Sequence, residues 1–263
     1  MLTFRDFVIA LRKLELDRSR PVIAHASLSA FGEVHGGAET MLGALLSTCN
    51  TVIMPAFTFK TMLIPEVGPE DNALVYGSGV DSNRMAEFFR PDMPVDPLVG
   101  SVSETLRRHP KAHRSMHPIL SFIGLNTDQA LDAQTVEEPL SPIRELHEGQ
   151  GWVLLIGVDH TVDTSIHYAE RLAGRKQFVR WALTTKGVVE CPGFPGCSDG
   201  FQAVAPRLEG VTRRVQAGPA EIQAVPLSDL IDTVRSMISE DPLALLCSRE
   251  SCERCDMVRA TVG

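Results

Sequence analysis

A histidine and a glutamate stand three residues apart in the segment GVDHTVDTSIHYAE, residues 157–170. If this segment becomes helical at Asp163, then Thr164, His167 and Glu170 recur on one helix face. The Glu170 carboxylate could hold one imidazole nitrogen of His167 and leave the other free to accept a proton. This is the arrangement of a general base and its positioning partner, although a solvated His–Glu pair on a surface helix would show the same spacing.

The residues just before this helix are also polar. Asp163 is a favourable N-cap, because its carboxylate can accept hydrogen bonds from free backbone amides. Asp159 and His160 follow an apolar run, Trp152–Val158, that predicts a buried strand. Polar side chains between the end of a strand and the start of a helix lie where α/β proteins commonly place active sites. His160 fits either a site residue or an ordinary loop residue.

A second segment, HASLSAFGEVHGG (residues 25–37), follows another short strand pattern and offers hydroxyls at Ser27 and Ser29. It ends in Gly36 and Gly37 before a helical pattern, and backbone amides at a helix start can hold a phosphate. The segment lacks the Gly-Lys-Ser/Thr of a P-loop and the glycine pattern of dinucleotide-binding folds. An anion-binding loop and an ordinary Ser/Gly-rich connection both fit it.

A third segment, HRSMHP (residues 113–118), precedes a strand pattern at 119–123. Arg114 could pair with a phosphate or a carboxylate. A solvated loop arginine is the alternative.

Three cysteines crowd the C-terminal segment with C-x₄-C-x₂-C spacing, at Cys247, Cys252 and Cys255. A structural zinc ion usually takes four ligands, so a fourth would have to come from Cys191, Cys197 or a histidine. The alternative is a tail at about 245–263 that carries free thiols. We predict no obligatory metal and leave a structural zinc open.

The elements that must position these groups interleave along the chain. Apolar periodicity predicts helices at 3–14, 38–46, 82–89, 100–108, 142–148, 163–174 and 227–239, and strands at 21–24, 51–54, 119–123 and 152–158, with a hairpin at 178–189. The uneven connections and the hairpin favour an α/β fold with a mixed central β-sheet covered by helices. No linker or repeat divides the pattern, which predicts a single domain over 1–263.

Composition excludes several classes of function. The net charge of −8, with scattered basic residues, argues against a nucleic-acid partner and is compatible with a cationic substrate. Charges interrupt the N-terminal segment, and no apolar run is long enough to cross a bilayer. We therefore expect a soluble cytoplasmic protein with no membrane partner, in which six cysteines need not form disulfides.

Taken in order, these segments resemble the aminoglycoside 3-N-acetyltransferase family, the antibiotic N-acetyltransferases. The similarity spans roughly residues 25–201, and the order and spacing of the segments agree with the family. The matching segments are HASLSAFGEVHGGAETMLGALL (25–46), TVIMPAFTF (51–59), HRSMHPILSFIGLN (113–126), SPIREL (141–146), GWVLLIGVDHTVDTSIHYAE (151–170) and GCSDGF (196–201).

The resemblance implies acetyl-CoA as donor and an amine of an aminoglycoside as acceptor, the 3-amino group of its 2-deoxystreptamine ring, so that the enzyme would confer antibiotic resistance. In the family the histidine of T-S-x-H-x-x-E is the catalytic base. Here that residue is His167, with Glu170 as its partner, and a hydroxyl such as that of Thr164 could stabilise the oxyanion.

The resemblance also implies binding residues. Those expected around the coenzyme are Ser27, Leu28, Ser29, Gly36, Gly37, Arg114, Ser115 and His117. Those expected near the acceptor are His25, Asp159, His160 and Asp163.

Residues 60–80 depart from the family pattern and form a long irregular segment, so the acceptor pocket is the least transferable part. Glu66, Glu70 and Asp71 could meet ammonium groups there or be solvated loop charges. Two other functions stay open: acetylation of a non-antibiotic amine metabolite, and a non-catalytic binding protein on the same fold. The accepted antibiotics and the oligomeric state are left open as well.

Overall fold

Two β-sheets organise the chain in the computed structural model, which describes residues 1–262. The strands in chain order are β1 (Val22–Ala26), β2 (Val52–Pro55), β3 (Met62–Leu63), β4 (His113–Arg114), β5 (Phe122–Leu125), β6 (Trp152–Ile156), β7 (Phe178–Thr184), β8 (Gly187–Phe194), β9 (Arg213–Ala217) and β10 (Ala220–Pro226). The larger sheet has seven strands in the order β4-β5-β2-β1-β6-β10-β9, and the smaller has three in the order β3-β7-β8.

The larger sheet is mixed, as the sequence predicts. Its central strand β1 pairs in parallel with both β2 and β6. The outer pairs, β2 with β5, β5 with β4, β6 with β10 and β10 with β9, are antiparallel. The three parallel strands therefore end at the same edge of the sheet.

Helices cover both faces of this sheet. They are α1 (Phe4–Lys13), α2 (Gly37–Thr48), α3 (Val80–Arg84), α4 (Ser101–Arg107), α5 (Asp128–Asp132), α6 (Ser141–Glu148), α7 (Thr164–Leu172), α8 (Ala205–Leu208), α9 (Leu227–Glu240) and α10 (Glu253–Ala260). No helix among residues 1–262 combines the length and the apolar character that crossing a bilayer requires.

The alternation of side chains along the central strands divides the core into two layers. Val22 and Leu154 lie in the layer covered by α1, α2 and α4. Ile23 and Val153 lie in the opposite layer, covered by α6, α7 and α9. Because both faces of β1 and β6 are buried, these strands are continuously apolar in the sequence, and that made them the easiest elements to predict.

Two predicted elements are displaced. The helix expected at 82–89 is the shorter α3, which ends at Arg84. After it the chain is extended, and Phe89 forms a β-bridge with Thr184 at the end of β7. The strand expected at 119–123 is β5, because Ile119 and Leu120 lie in a turn whose amides bind the His117 ring.

The β9–β10 hairpin was not predicted. Its edge strand β9 exposes Arg213, Arg214 and Gln216 and buries only Ala217 fully, so its apolar pattern is weak. The C-terminal segment, predicted as a tail at about 245–263, contains α10, and Val258 joins a third core beneath the smaller sheet. Gly263 lies outside the described residues.

Candidate active site

A cavity of about 850 Å³ opens where the parallel strands end. Its wall includes His25 and Ala26 at the end of β1, Pro55 at the end of β2, and Val158 just after β6. Crevices outside the carboxyl ends of parallel strands are the usual ligand sites of open α/β sheets. The fold therefore brings the segments 25–32 and 158–167 to one place.

Gly157 makes this meeting of segments possible. It follows β6 with φ +66°, and a Cβ atom there would lie 2.6 Å from Phe31 and 2.8 Å from Ala30. Any other residue would push away the short 3₁₀ helix Leu28–Phe31, which carries Ser29 on the cavity wall.

The histidine and glutamate of α7 form the expected pair. The Nδ1 atom of His167 lies 2.9 Å from Oε2 of Glu170, and both residues are buried. The Arg175 guanidinium donates to Oε1 of Glu170 at 2.8 Å and to the carbonyls of Pro242 and Ala244, each at 2.8 Å. The carboxylate is thus bound on both oxygens, which fixes the imidazole ring through Nδ1.

The other nitrogen of this ring is available. His167 lines the cavity, and among residues 1–262 its Nε2 atom has no hydrogen-bond partner. Phe201 packs edge-on against the ring with centroids 4.7 Å apart. The ring is therefore held by a carboxylate on one side and an aromatic contact, with one nitrogen left free for proton transfer.

Asp163 forms a second buried polar group beside the first. Its carboxylate caps α7 by accepting from the Ser165 amide at 3.0 Å, and it lies 3.3 Å from Nδ1 of His160 and 3.8 Å from Nε2 of His25. Burial by itself would raise the pKa of Asp163, but the His160 hydrogen bond, nearby His25 and the Ser165 amide outweigh burial and lower it. Burial lowers the pKa of His25, although the neighbouring Asp163 carboxylate acts in the opposite direction.

Hydroxyl groups complete this part of the wall. Thr164 lines the cavity, and its hydroxyl has no hydrogen-bond partner among residues 1–262. The hydroxyls of Ser27 and Ser29 lie 3.0 Å apart on the facing loop. Such groups can donate to a carbonyl or phosphate oxygen of a ligand.

The structure brings together about half of the predicted site residues. The residues on the cavity wall are His25, Ser27, Leu28, Ser29, Asp163, Thr164 and His167. Glu170 lies behind His167, and His160 is buried behind Asp163. Asp159 caps the short 3₁₀ helix His160–Val162 instead of facing the cavity.

Gly36 and Gly37 begin α2 away from the cavity wall, with φ values of +75° and +57°. Their positive φ angles explain why glycines stand there without a ligand, because the turn into α2 needs left-handed backbone. The expected coenzyme contact of these two residues has no support in this geometry.

Arg114, Ser115 and His117 also lie off the cavity wall. The Arg114 guanidinium donates to the carbonyls of Met93 and Ala56, each at 2.6 Å. Burial lowers the pKa of Arg114 to about 10, which still leaves the group charged at neutral pH. The bound carbonyls occupy the donors that a coenzyme phosphate would have needed.

The acidic residues Glu66, Glu70 and Asp71 are exposed and do not line the cavity. Their segment packs instead against the smaller sheet, where Asn72 bonds the backbone of Val179. This agrees with the interpretation of these three residues as solvated loop charges.

The comparisons with known proteins bear on this arrangement. A model of the aminoglycoside 3-N-acetyltransferase family matches residues 23–239. The chain belongs to this family. Its T-S-x-H-x-x-E segment, which supplies the paired histidine and glutamate, lies inside the matched range.

Two curated relatives show the extent of the similarity. The SPβ prophage-derived aminoglycoside N(3')-acetyltransferase-like protein YokD of Bacillus subtilis is 31% identical over 170 residues, a match that spans 61% of this chain and only 61% of that protein. Aminoglycoside N(3)-acetyltransferase III of Salmonella sp is 28% identical over 240 residues, 78% of this chain and 79% of that protein.

Solved structures of aminoglycoside acetyltransferases share the fold. A mutant of AAC(3)-IVa in complex with gentamicin has a TM-score of 0.79 at 23% identity, covering 98% of this chain and 97% of that one. A binary complex of AAC-IIIb with CoASH has a TM-score of 0.72 at 21% identity, covering 90% and 96%.

Sequence reasoning missed several lining residues of this family member. Phe57 and Phe59 follow β2, the segment 97–103 leads into α4, and 194–198 follows β8. Arg254 of α10 is the one arginine or lysine on the wall among residues 1–262, and it donates to the Gly196 carbonyl at 2.9 Å. Phe57 and Phe59 lie in the matching segment 51–59, and Gly196 and Ser198 lie in 196–201, but nothing in these segments marked the residues as part of a cavity wall.

Proposed function

We propose that this protein transfers the acetyl group of acetyl-CoA to an amine of an aminoglycoside, the 3-amino group of the 2-deoxystreptamine ring. The observation that carries the proposal is His167 on the cavity wall, with Nδ1 bound to Glu170 and Nε2 free. Membership of the family supports the reaction class, and the CoASH and gentamicin complexes of the structural neighbours support the two substrates.

The chemistry needs a base, because a protonated amine has no electron pair with which to attack a thioester. In the proposed reaction the ammonium group first releases one proton to solvent. Nε2 of His167 then accepts a second proton from the nitrogen as that nitrogen forms a bond to the acetyl carbonyl carbon. The tetrahedral intermediate then expels the coenzyme thiolate, which takes a proton from the imidazolium. General base assistance of this kind is typically worth about 10²–10⁴ in rate.

Glu170 and Thr164 have separate roles in this proposal. Glu170 positions the imidazole and balances its transient positive charge, while Arg175 holds the carboxylate in place. Thr164 donates its free hydroxyl to the oxyanion that develops on the acetyl oxygen. We assign the acceptor ammonium to the neighbourhood of Asp163, the one acidic residue that lines the cavity among residues 1–262.

The coenzyme fits the other part of the wall. Ser27 and Ser29 offer hydroxyl donors on the loop after β1, and Arg254 supplies positive charge across the cavity. The proposal includes a cytoplasmic location, since none of the six cysteines is paired in a disulfide, as is usual in reducing compartments.

An acceptor screen tests the proposal. The purified protein is incubated with acetyl-CoA and deoxystreptamine aminoglycosides, including gentamicin and apramycin, and free thiol is measured with a thiol-reactive dye. We expect thiol release above the hydrolysis background, with the product acetylated at the 3-amino group by mass spectrometry and NMR. Background release with every aminoglycoside would reject the antibiotic as substrate.

One observation favours a second candidate acceptor. Aminoglycosides carry several ammonium groups, whereas Asp163 is the single acidic residue that lines the cavity among the described residues. An amine metabolite with one ammonium group would match that charge, and the same screen should include such amines. A non-catalytic binding protein on this fold would release no thiol with any acceptor, although the intact His167–Glu170 pair argues against it.

A further inference from the structure

Four cysteine side chains meet at one point outside the proposed reaction. The Sγ atoms of Cys197, Cys247, Cys252 and Cys255 all lie within 4.8 Å of one another. All four residues are buried, and they form a small cluster of their own against Leu246. The sequence left a zinc site at Cys247, Cys252 and Cys255 open, with Cys197 as one candidate for the fourth ligand, and the fold brings Cys197 to the other three from the loop after β8.

The spacing of these sulfur atoms suits a tetrahedral metal ion. Zinc bonds thiolate sulfur at about 2.3 Å, which places the sulfurs of a regular tetrahedron roughly 3.8 Å apart. A set of four thiolates, closed to solvent and without an open position, is the donor set of a structural zinc site. Oxygen-preferring ions such as magnesium and calcium do not match all-sulfur ligands.

The connectivity of the cluster is also that of a metal site. Cys247 and Cys252 flank a short loop, and Cys255 follows in the first turn of α10. Cys197 comes from a distant part of the chain, between the pocket-lining residues Gly196 and Ser198. One ion would therefore tie the C-terminal segment to the cavity wall.

The surrounding charges fit a bound ion. Four thiolates and one Zn²⁺ carry a net charge of −2, and the Arg249 guanidinium lies 3.7 Å from Sγ of Cys197 and 3.9 Å from Sγ of Cys252. Arg249 is itself bound to Asp199 at 2.7 Å, and Arg259 donates to the Cys247 carbonyl. Arg249 lies beside the sulfurs, where it would offset the charge of the complex, and the Arg259 hydrogen bond would help to orient the Cys247 backbone.

We propose that Cys197, Cys247, Cys252 and Cys255 bind one zinc ion with a structural role. The ion locks α10 against the loop after β8 and so fixes the part of the cavity wall that contains Gly196, Ser198 and Arg254. This site stands independently of the acetyl-transfer proposal, because its geometry uses none of the residues assigned to that reaction.

Elemental analysis of the full-length protein tests the site. The protein is expressed in zinc-supplemented medium, purified without chelator, and analysed by mass spectrometry for metals. We expect close to one zinc per chain, and a cobalt-substituted sample should show the visible d–d bands and the near-ultraviolet thiolate band of tetrahedral cobalt. Protein that contains almost no metal, or disulfides among these cysteines by non-reducing peptide mapping, would overturn the proposal.

Matched cysteine variants locate the ion. Cys197→Ala and Cys252→Ala should each lose most of the bound zinc, whereas Cys49→Ala and Cys191→Ala, which alter buried cysteines outside the cluster, should retain it. Equal zinc content in all four variants would contradict the assigned ligands. If a ligand variant does not fold, the metal content and the cobalt spectrum of the unaltered protein still decide whether a thiolate metal site exists.

The structural role has its own readout. Stripping the unaltered protein with a strong chelator should lower its melting temperature and speed proteolytic cleavage within residues 241–262, and added zinc should reverse both changes. Unchanged melting and cleavage after complete zinc removal would contradict the structural role. Neither measurement depends on acetyl transfer, so failure of one proposal is distinguishable from failure of the other.

Discussion

The segments 113–118 and 163–170 resemble each other in the sequence, since each offers a hydroxyl, a histidine and a charged partner near a strand. In the structure their polar atoms differ in their hydrogen-bond partners. Nδ1 of His117 accepts from two backbone amides, Ile119 at 3.1 Å and Leu120 at 2.9 Å, and its Nε2, unpaired among the described residues, is buried away from the cavity, while His167 has its free nitrogen at the cavity. The first segment stabilises the fold, and the second has the free polar atoms that the proposed reaction needs.

The hydroxyls and charged groups repeat this contrast. Ser115 both accepts from the Phe122 amide and donates to the Phe122 carbonyl, whereas the Thr164 hydroxyl is unpaired within residues 1–262. The Arg114 guanidinium donates its hydrogen bonds to backbone carbonyls. The Arg175 guanidinium instead donates to the Glu170 carboxylate, which in turn binds the His167 ring. A buried polar group with unused hydrogen-bonding capacity at a cavity is therefore a better sign of function than polarity alone.

The sharpest test applies one substitution to both histidines. His167→Asn keeps a polar atom near the Nδ1 position but removes the free nitrogen, so we expect kcat to fall about 10²–10⁴-fold with coenzyme binding retained. His117→Asn should keep turnover within a few-fold, because Asn can still accept the two amides. Steady-state kinetics and calorimetric coenzyme binding measure both, and similar losses in the two variants would erase the distinction.

The next largest effect is expected from substitution of the two hydroxyl residues, Thr164 and Ser115. Thr164→Val retains the shape of the side chain but removes the donor to the oxyanion, and loss of such a donor typically costs about 10²–10³ in kcat. Ser115→Ala should leave kcat unchanged while lowering the free energy of unfolding by about 1–3 kcal/mol, because it strands buried backbone groups of Phe122. Denaturant melts and initial rates on both variants check this, and a Thr164→Val enzyme with full activity would remove Thr164 from the mechanism.

His117 in the segment 113–118 should make the free energy of unfolding depend on pH. Burial lowers the pKa of His117 to about 4, from an unfolded value of about 6.5. The unfolded chain therefore binds more protons between these values, and the contribution of His117 to the unfolding free energy is complete above pH 6.5 and lost on the way down to pH 4.

The size of this loss is about 3 kcal/mol, and His117→Asn should flatten that part of the curve of stability against pH. The exposed His35→Asn is the matched control and should follow the unaltered protein. Chemical denaturation at several pH values measures all three. A His117→Asn curve parallel to that of the unaltered protein would show that this ring does not titrate with unfolding.

The smallest expected effect concerns Glu170, which acts through His167. Glu170→Gln removes the charge but keeps the shape, and a hydrogen bond to a charged group is worth about 1.5–3 kcal/mol, or roughly 10–100-fold in rate. We expect the loss in kcat with little change in KM for acetyl-CoA, together with an altered pH profile of kcat. A rise in KM alone would indicate that Glu170 shapes the pocket instead of positioning the base.

The sequence predicted the elements that a short stretch of residues identifies by itself. Strands β1 and β6 are apolar throughout because both faces are buried, and α7 combines an N-cap aspartate with polar residues at helical spacing. The family resemblance then gave roles to His167 and Glu170. Arg175 escaped notice because its partners, the carbonyls of Pro242 and Ala244, are backbone atoms that no residue type reveals.

The remaining misses depend on tertiary contacts. In the sequence, the segment around Arg114 resembles an anion site. Only the fold shows that the guanidinium donates to the backbone carbonyls of Ala56, Pro91 and Met93. Cys197 is separated from Cys247 by 50 positions in the printed chain, so the sequence could name it only as one of several candidates for a fourth ligand. The weak β9–β10 hairpin was missed because an edge strand with one solvated face carries little apolar periodicity.

The bond between Arg175 and the carbonyls of Pro242 and Ala244 joins residues 67 and 69 positions apart. At a synthesis rate of about 5–20 residues per second, a ribosome needs roughly 3–14 seconds to add that stretch after Arg175. During this interval the nascent chain can form α7 but cannot anchor the arginine that steadies its carboxylate. The contacts that hold Arg175 beside Glu170 are therefore completed only seconds after α7 itself has been synthesised.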